Sequence, residues 1–371
     1  MTDRSAIIVV SYSARALASS AARAGFAPLS IDVFGDDDTR EMSLASVKLD
    51  GGLSEGLTFD KVCAAVDMLI NTHNPVGLVY GAGFEHQPET VAAIADRTRV
   101  FGNPADILTR AKEPVTLARI CAAQGIRHPP IAFDPPDEPQ LWLTKRRGGA
   151  GGAHIAMAEA PGRGGPNFYF QRRAVGKSIS ALFLASEKKA EIIGLSMQWT
   201  APTPASPFRY GGAAGPVDID RAHAEEIARS VAAMTFELNL VGLNSADFLV
   251  SAEAVWLIEI NPRPAATLDV FESNEVPLFA HHVAACEGRL TPVANLGFKA
   301  AEIVYAPHDV VVRALRIWPD WAVDRSPAGT WIAAGDPFCT ALGSGATVDL
   351  ARACVGERAR KIIALVQEAD H

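Results

Sequence analysis

Residues 244–264 read NSADFLVSAEAVWLIEINPRP, which is typical of two strands joined by a turn around 251–253. In such a hairpin Asp247 and Glu259 lie nearly opposite each other. Asn261 falls on the same face as Glu259, because side chains alternate along a strand. Two facing carboxylates repel each other, so that one tends to protonate unless a cation lies between them. The hairpin therefore predicts a cation held by two carboxylates and an amide oxygen.

Oxygen ligands of this kind suit Mg²⁺, with Mn²⁺ as an alternative, because Mg²⁺ commonly takes one or two carboxylates and completes its shell with phosphate and water. The competing interpretation is a solvated face of an edge hairpin. Asp247 and Glu259 lie within otherwise apolar runs, where a merely solvated carboxylate is out of place, so the metal interpretation is favoured. The following turn places Arg263 near this cation, where it can hold carboxylate or phosphoryl oxygens; its alternative is a surface ion pair with Asp269 or Glu272.

Residues 145–155 read KRRGGAGGAHI, a glycine-rich turn flanked by cations. Such a turn brings several backbone N–H groups to a phosphate chain, while a lysine, here Lys145, supplies a point charge. The stretch does not match GxxxxGK[ST] and is expected to join two strands, so P-loop chemistry is disfavoured. Taken alone, it is equally typical of a flexible hairpin with solvated arginines. The glycines expected at the phosphates are Gly148, Gly149, Gly151 and Gly152.

Short β-branched runs alternate with helical spacing at the start of the chain and predict a parallel sheet with helices on both faces. The strands are expected at 6–10, 28–34, 76–81 and 98–103. The first βα turn lacks GxGxxG, so a dinucleotide site is disfavoured. A helix is expected over 107–126, and a proline-rich connector over 127–140 leads to antiparallel strands. The expected units are a parallel α/β domain at 1–110, a two-lobed domain at 111–295 and a β-rich region with a final helix at 296–371.

The composition of the 371 residues is that of a globular protein of two or three domains, since 49% are apolar and 20% charged. The net charge of -8 argues against nucleic-acid and membrane-surface partners, although a local basic patch can still receive an anionic substrate. The apolar runs are too short for a membrane span, and no signal peptide is expected at the start. Five cysteines without metal-ligand spacing indicate reduced thiols and a cytoplasmic location.

The loop KRRGGAGGAHI, the motif IEINPRP and a preceding parallel domain, in this order, resemble the ATP-grasp ligases over nearly the whole chain. The resemblance implies a mixed α/β (α+β) fold: a Rossmann-like pre-ATP-grasp domain, two lobes that hold ATP between antiparallel sheets, and a small C-terminal β-rich region. The strand that links the lobes usually carries an acid beside adenine and ribose, and here FQRRAVG offers Gln171. The other assigned residues are Lys112 and Lys145 at the ATP phosphates, Asp247, Glu259 and Asn261 at the metal, and Arg263 near the reacting phosphoryl group.

The resemblance also implies a reaction. A substrate carboxylate attacks the γ-phosphoryl group of ATP, an acyl phosphate and ADP form, and an amine displaces phosphate to give an amide. The expected partners are therefore a small-molecule carboxylate and amine, and a homo-oligomer is compatible with this. No protein nucleophile is needed, which agrees with the lack of a GxSxG elbow. His154 is favoured as a loop-lining side chain over a catalytic base, and His281 and His282 are expected on a helix surface.

Three further stretches, 11–39, 80–89 and 329–340, resemble a branch described as carboxylase-related ligases, met among one-carbon genes for tetrahydromethanopterin and methylofuran. That resemblance implies cofactor assembly, in which glutamate is joined to an amine or to a glutamyl chain. Two alternatives remain open. One is a biotin-carboxylase-like enzyme that phosphorylates bicarbonate, and the other is a Rossmann-type nucleotide-binding protein without ligase activity.

Overall fold

The computed structural model describes residues 4–159, 165–273, 275, 277–294, 297–313 and 318–368. The first sheet is parallel, with the order β3-β2-β1-β4, and its strands are β1 (Ala6–Val10), β2 (Ala27–Asp32), β3 (Ala45–Lys48) and β4 (Leu78–Tyr80). The helices of this part are α1 (Arg15–Arg23), α2 (Asp37–Met42), α3 (Gly52–Glu55), α4 (Phe59–His73) and α5 (Pro88–Ala95). The strand expected at 98–103 is wrong, because Val100 forms only a single bridge to Leu78.

The single helix expected over 107–126 is also wrong. The structure has two helices there, α6 (Ala105–Lys112) and α7 (Pro114–Ala123). Proline disfavours helical backbone in the residue before it, and Glu113 accordingly has φ -80° and ψ 113°. The break makes Lys112 the last residue of α6.

The second sheet is small and antiparallel, with the order β5-β8-β6-β7. Its strands are β5 (Ile131–Ala132), β6 (Trp142–Arg146), β7 (Ile155–Met157) and β8 (Phe168–Arg172). Strand β5 lies inside the proline-rich stretch expected to be only a connector, and it pairs with β8 through Ile131 and Gln171. Strands β6 and β7 pair from Leu143 to Lys145, which confirms that the glycine-rich turn joins two strands.

The third sheet is antiparallel, with the order β13-β12-β9-β10-β11-β14-β18-β16. The strands from residue 177 onward are β9 (Lys177–Ser186), β10 (Lys189–Thr200), β11 (Tyr210–Gly215), β12 (Gly242–Val250), β13 (Val255–Asn261), β14 (Phe298–Tyr305), β15 (Val310–Val311), β16 (Ala322–Val323), β17 (Trp331–Ile332) and β18 (Pro337–Gly345). Strands β15 and β17 pair with each other. The helices here are α8 (Arg221–Leu238), α9 (Leu268–Phe271), α10 (Leu278–Cys286) and α11 (Val348–Glu368).

Alternate residues of β1 carry the packing of the first sheet. Ile8 and Val10 lie in a core with residues of α4, α5 and α6. Ile7 and Val9 face the other way, into a core with α1, α10 and strand β9 of the third sheet. This two-sided burial confirms the expected parallel sheet and fixes it against the third sheet. Within the described residues, no helix is both long and apolar enough to span a membrane.

Candidate functional site

A cleft of about 1060 Å³ lies between the second and third sheets and extends to the carboxyl ends of the parallel strands. We call it the main cleft. The residues that line it include Lys145 and Gln171 from the second sheet, Asp247 and Glu259 from the third, and Asp36 beyond the end of β2. Ligands of open parallel sheets bind at such strand ends, so the site is assembled from three parts of the chain.

The hairpin of β12 and β13 has the predicted register. Asp247 pairs directly with Glu259, and Ser245 pairs with Asn261. The turn closes through a hydrogen bond of 2.9 Å from the Ser251 N–H to the Ala254 carbonyl. Since paired residues of antiparallel strands share a face, the three predicted ligands converge. Asn261 Nδ2 donates to Asp247 Oδ2 at 3.0 Å, which confirms their proximity.

Lys112 lies directly against these oxygens. Its Nζ donates to Glu259 Oε1 at 2.8 Å and to Asn261 Oδ1 at 2.6 Å. The ammonium therefore offsets the charge of Glu259 in this structure, whereas the cation expected from the sequence was a metal ion. The resemblance assigned Lys112 to the ATP phosphates, and the structure places it beside the predicted metal ligands.

The two carboxyl groups have opposite pKa shifts. Burial and the neighbouring Glu259 charge raise the pKa of Asp247. Burial acts in the same direction on Glu259, but Lys112 and Lys145 outweigh it and hold the pKa of Glu259 below its ordinary value. The Ser180 hydroxyl acts against this rise in the pKa of Asp247, and Asp247 Oδ1 is buried without a hydrogen-bond partner among the described residues. Glu259 is thus the ionised member of the pair, and Asp247 Oδ1 is the oxygen that can accept a further ligand.

Lys145 is only 2% exposed and projects from β6 into the main cleft. Its pKa is lowered by burial, which the Glu259 carboxylate opposes and the Lys112 ammonium reinforces. His154 lines the same cleft, and burial lowers its pKa to about 4. Its Nδ1 lies 3.3 Å from the Ala150 carbonyl oxygen, so the imidazole is a neutral group that lines the loop.

The glycine loop, residues 147–153, is packed against two other parts of the chain. A Cβ on Gly148 would lie 2.5 Å from the Glu85 carbonyl oxygen, and one on Gly152 would lie 1.9 Å from the Phe208 carbonyl oxygen. Both glycines have positive φ, at +65° and +76°. Gly149 is tight against the His154 ring, whereas Gly151 has open space on its Cβ side. The loop therefore lies over the cleft, and the glycines allow it to do so.

Arg263 forms a buried ion pair that the sequence did not predict. Its Nε donates to Glu85 Oε1 at 2.8 Å. Burial opposes ionisation of Glu85, but Arg263 and Lys112 hold its pKa below the ordinary value. The pairing of Arg263 with Asp269 or Glu272 is wrong, because Glu85 is the partner. Asp269 instead receives a bidentate contact from Arg15, and the Glu272 carboxylate accepts from Ser20.

Gln171 lies on β8, is buried, and lines the main cleft next to Arg172 and Arg173. Its Nε2 is 3.3 Å from His128 Nε2. Burial and then the Lys145 charge lower the pKa of His128 to about 4, so this imidazole is neutral. This end of the cleft therefore has an uncharged hydrogen-bonding side chain at Gln171, with the neutral imidazole of His128 next to it.

The prediction that His282 lies on a helix surface is wrong. This residue is 1% exposed, its Nδ1 accepts from the Leu243 N–H at 2.8 Å, and its Nε2 lies 2.9 Å from the Phe101 carbonyl oxygen. Burial lowers its pKa to about 4. His281 is partly exposed and contacts Thr291. One histidine of the pair is therefore a structural link in the core.

The donor set suits a magnesium ion that shares its shell with phosphate. Among the described residues there is no group of three or more His, Cys, Asp or Glu side chains placed to hold a metal by themselves. Asp247, Glu259 and Asn261 instead supply two carboxylates and an amide, and Asp247 Oδ1 lacks a partner. Mg²⁺ usually takes only one or two carboxylates from a protein and leaves the rest to water and phosphate. These residues fit that ion.

Comparison with known proteins agrees with this geometry. Residues 116–267 match the protein family described as ATP-grasp domain. The large chain of carbamoyl phosphate synthase from Neisseria meningitidis serogroup B is 24% identical over 263 residues, which is 63% of this chain and 24% of that protein. The chain spans about a quarter of the length of the curated relatives it matches.

Two solved structures have a similar fold over nearly the whole chain. The complex of biotin carboxylase with β,γ-ATP from Campylobacter jejuni has a TM-score of 0.70 at 12% identity and covers 93% of this chain and 89% of its own. The L-amino acid ligase from Bacillus licheniformis has a TM-score of 0.71 at 13% identity, with 96% and 97% covered. The fold is the ATP-grasp fold. The family match over residues 116–267 agrees with that fold.

Proposed function

We propose that this protein is an enzyme, a carboxylate–amine ligase that forms an amide through an acyl phosphate and releases ADP and phosphate. One observation carries the proposal: Lys145, Glu259 and Arg263 line a single cleft beneath the glycine loop. That combination supplies backbone N–H groups and a lysine for a polyphosphate, oxygen ligands for Mg²⁺, and an arginine for the transferred group. The likeness to an L-amino acid ligase supports the same choice.

Each residue has a role that follows from its position. The glycine loop and Lys145 hold the inner phosphates, and Gln171 lies where the base and ribose bind. Asp247, Glu259 and Asn261 would hold Mg²⁺, with Mn²⁺ as a substitute, and the ion would neutralise phosphate charge. Lys112 lies against the same oxygens. If a metal ion took its place there, the Lys112 ammonium would be free to contact the phosphates.

The reaction follows from this arrangement by positioning and charge neutralisation. A carboxylate oxygen of the substrate forms a bond to the γ-phosphorus, and the bond from that phosphorus to ADP breaks. Arg263, held by Glu85, steadies the transferred phosphoryl oxygens. The neutral amine nitrogen then bonds to the acyl carbon, the bond from that carbon to phosphate breaks, and the amine gives up a proton to the leaving phosphate or to water. No protein nucleophile takes part, so the buried cysteines have no catalytic role in it.

The nucleotide product tests this proposal. We expect ADP and phosphate, with one amide formed per ATP; carboxylate and ATP with hydroxylamine in place of the amine should give a hydroxamate together with ADP. AMP and pyrophosphate as primary products would refute the mechanism. Lys145→Met should weaken ATP binding about ten- to a hundredfold, since a charge-assisted contact contributes about 1.5 to 3 kcal/mol. Lys177→Met is the matched control, because Lys177 is exposed at the start of β9.

The competing carboxylase reaction has a different signature. Its support is the similar fold of a biotin carboxylase. Such an enzyme would consume ATP in the presence of bicarbonate without any amine. ATP turnover that depends on bicarbonate and not on an amine would therefore replace the ligase proposal by the carboxylase one.

The finer assignment rests on sequence resemblance alone. We propose that the joined acid is glutamate and that the product belongs to methylofuran or tetrahydromethanopterin assembly, because residues 11–39, 80–89 and 329–340 resemble that branch. We also propose a cytoplasmic enzyme, on the basis of its five scattered cysteines, that acts as a homo-oligomer on small molecules. Its proposed functional units are residues 1–110, 111–295 and 296–371.

A further inference from the structure

The end of the main cleft next to the parallel sheet contains more buried acid than base. Five carboxylates lie together at this end, three lining the cleft and two behind them, and the buried guanidinium of Arg15 is placed between two of them. Arg15 is 5% exposed and binds Asp269 at 2.6 Å and Asp324 at 3.1 Å. The remaining carboxylates belong to Asp32, Asp36 and Asp38. We call these five acids and Arg15 the acidic end of the cleft.

Four of the five carboxylates have structural partners. Asp32 accepts hydrogen bonds from the backbone N–H groups of Ala14 and Gly35, at 3.2 and 2.8 Å. Asp38 accepts from the N–H groups of residues 324 and 325, at 2.9 and 3.0 Å. Asp269 and Asp324 hold Arg15. These four acids are therefore explained by the fold.

Asp36 is the exception. It is 1% exposed and lines the main cleft, yet its Oδ1 has no hydrogen-bond partner among the described residues. The usual structural role is also missing, because Asp36 is the N-cap residue of α2 and its side chain makes no capping hydrogen bond. A buried carboxylate without a partner costs stability, and such a cost is typical of a group kept for a ligand.

The surroundings of Asp36 specify the charge of that ligand. Burial raises the pKa of Asp36 to about 9, and the neighbouring carboxylates of Asp324, Asp32 and Asp38 add to the rise against Arg15. The buried Cys339 thiol faces the same acids. Asp36 therefore keeps its proton below about pH 9 when the site is empty, and a cation that binds there replaces this proton, whereas the neighbouring carboxylates repel an anion. The other four acids are engaged by backbone N–H groups or by Arg15, so this position offers the carboxyl group of Asp36 alone, and an organic cation fits it better than a metal ion.

We infer that the acidic end of the cleft binds the ammonium group of the amine substrate, with Asp36 as its direct partner. The identification of this cation as the acceptor amine rests on the proposed function. Apolar side chains complete the pocket for the organic part of an amine, since Phe34 and Phe338 line the same cleft. The acceptor thus enters beside the parallel sheet, while the nucleotide binds beneath the glycine loop.

Calorimetry on the full chain with 1,4-diaminobutane as the probe tests this site. The wild type should bind the diamine and not 1,4-butanediol, which has the same length and no charge. Asp36→Asn should weaken diamine binding about ten- to a hundredfold, the effect of losing one charged contact. Asp218→Asn, at an exposed position, is the matched control and should bind as the wild type does. Equal affinity of Asp36→Asn and wild type, or equal binding of the diol, would overturn the inference, and so would Mg²⁺ binding that Asp36→Asn abolishes.

Stability gives a second readout that a structural role for Asp36 would not produce. An acid whose pKa is raised in the folded state destabilises the fold as the pH rises above its unfolded value, about 4. Asp36→Asn should therefore melt at a higher temperature than wild type at pH 8, and the gap should close near pH 4. A lower melting temperature at pH 8 would show that Asp36 supports the fold and would refute the site.

The failure of this inference and that of the proposed function are distinguishable. If no amine gives ADP and amide, but diamine binding still depends on Asp36, the ligase proposal fails and the cation site stands. If ADP and amide form, but Asp36→Asn leaves the KM for the amine unchanged, the ligase proposal stands and the site is wrong.

Discussion

Replacement of Gly148 by alanine should weaken ATP binding by displacing the glycine loop. Gly148 has φ +65°, and a Cβ there would lie 2.5 Å from the Glu85 carbonyl oxygen and 2.8 Å from His86 Cα. Both are backbone atoms, so neither can rotate away. Real contacts of this kind start at about 3.0 Å, so the loop has to move by at least half an ångström. The loop and Glu85 then separate, and Glu85 is the residue that holds Arg263.

A matched control separates this displacement from backbone strain. Gly125 ends helix α7 with φ +64°, and nothing lies within 4 Å of its Cβ position. Alanine costs about 1 to 2 kcal/mol in left-handed backbone, and this cost is the same at both positions. Gly125→Ala should therefore lower the unfolding free energy by that amount and leave ATP affinity unchanged.

Calorimetry with an ATP analogue and Mg²⁺, together with urea unfolding, measures both effects. We expect Gly148→Ala to bind the nucleotide about ten- to a hundredfold more weakly than Gly125→Ala, the effect of losing charge-assisted loop contacts. If the two folded variants bind the nucleotide within about twofold of each other, the packing of the glycine loop against Glu85 does not contribute to nucleotide binding.

Three further variants test other parts of the site and the core. Glu259→Gln should lower turnover about 100-fold and should lower ATP affinity by a smaller factor, and a higher Mg²⁺ concentration should partly restore turnover. Full activity of this variant at limiting Mg²⁺ would show that Glu259 is not a metal ligand. Glu85→Gln leaves Arg263 buried and unpaired, so urea unfolding should show a loss of about 3 to 5 kcal/mol, and an unchanged midpoint would contradict this. The pKa of His282, about 4 when folded, lies below its unfolded value. The free energy of unfolding should therefore fall by about 3 kcal/mol at most as the pH falls from about 6.5 toward 4. Urea unfolding at each pH should show a smaller fall in His282→Gln.

The local features of the site could be predicted from the sequence because their signals are local. The turn at 251–253 and the alternation of β12 and β13 determine the pairing of Asp247 with Glu259, and no distant residue is needed to infer it. The glycine loop joins two strands for the same reason, since apolar runs flank it on both sides. The roles of these residues in binding ATP and metal stay predictions.

The partners that the sequence missed come from distant segments. Lys112 reaches Glu259 across 147 residues and Glu85 reaches Arg263 across 178. Nothing near Arg263 indicates Glu85, and for that reason the alternative to a phosphoryl contact named only the nearby Asp269 and Glu272. The proline at 114 was a local signal that could have divided the helix and placed Lys112 at a helix end. Asp36 gave no signal, because it looks like an ordinary N-cap residue.

The parallel sheet holds the segment that connects the two ends of the main cleft. Arg263 and Asp269 lie at the start and end of that segment, and each pairs with a residue of the first part of the chain, Glu85 and Arg15. Buried ion pairs add little net stability, but the loss of one partner leaves a charge buried, so they fix relative position strongly. A shift of the first sheet would therefore move Arg263 beneath the glycine loop and Asp269 at the acidic end together. The two ion pairs therefore explain why Arg263 and Asp269 are buried against the first part of the chain. Hydrophobic contacts are not directional, so they alone would not fix the distance between the phosphate end and the amine end of the cleft.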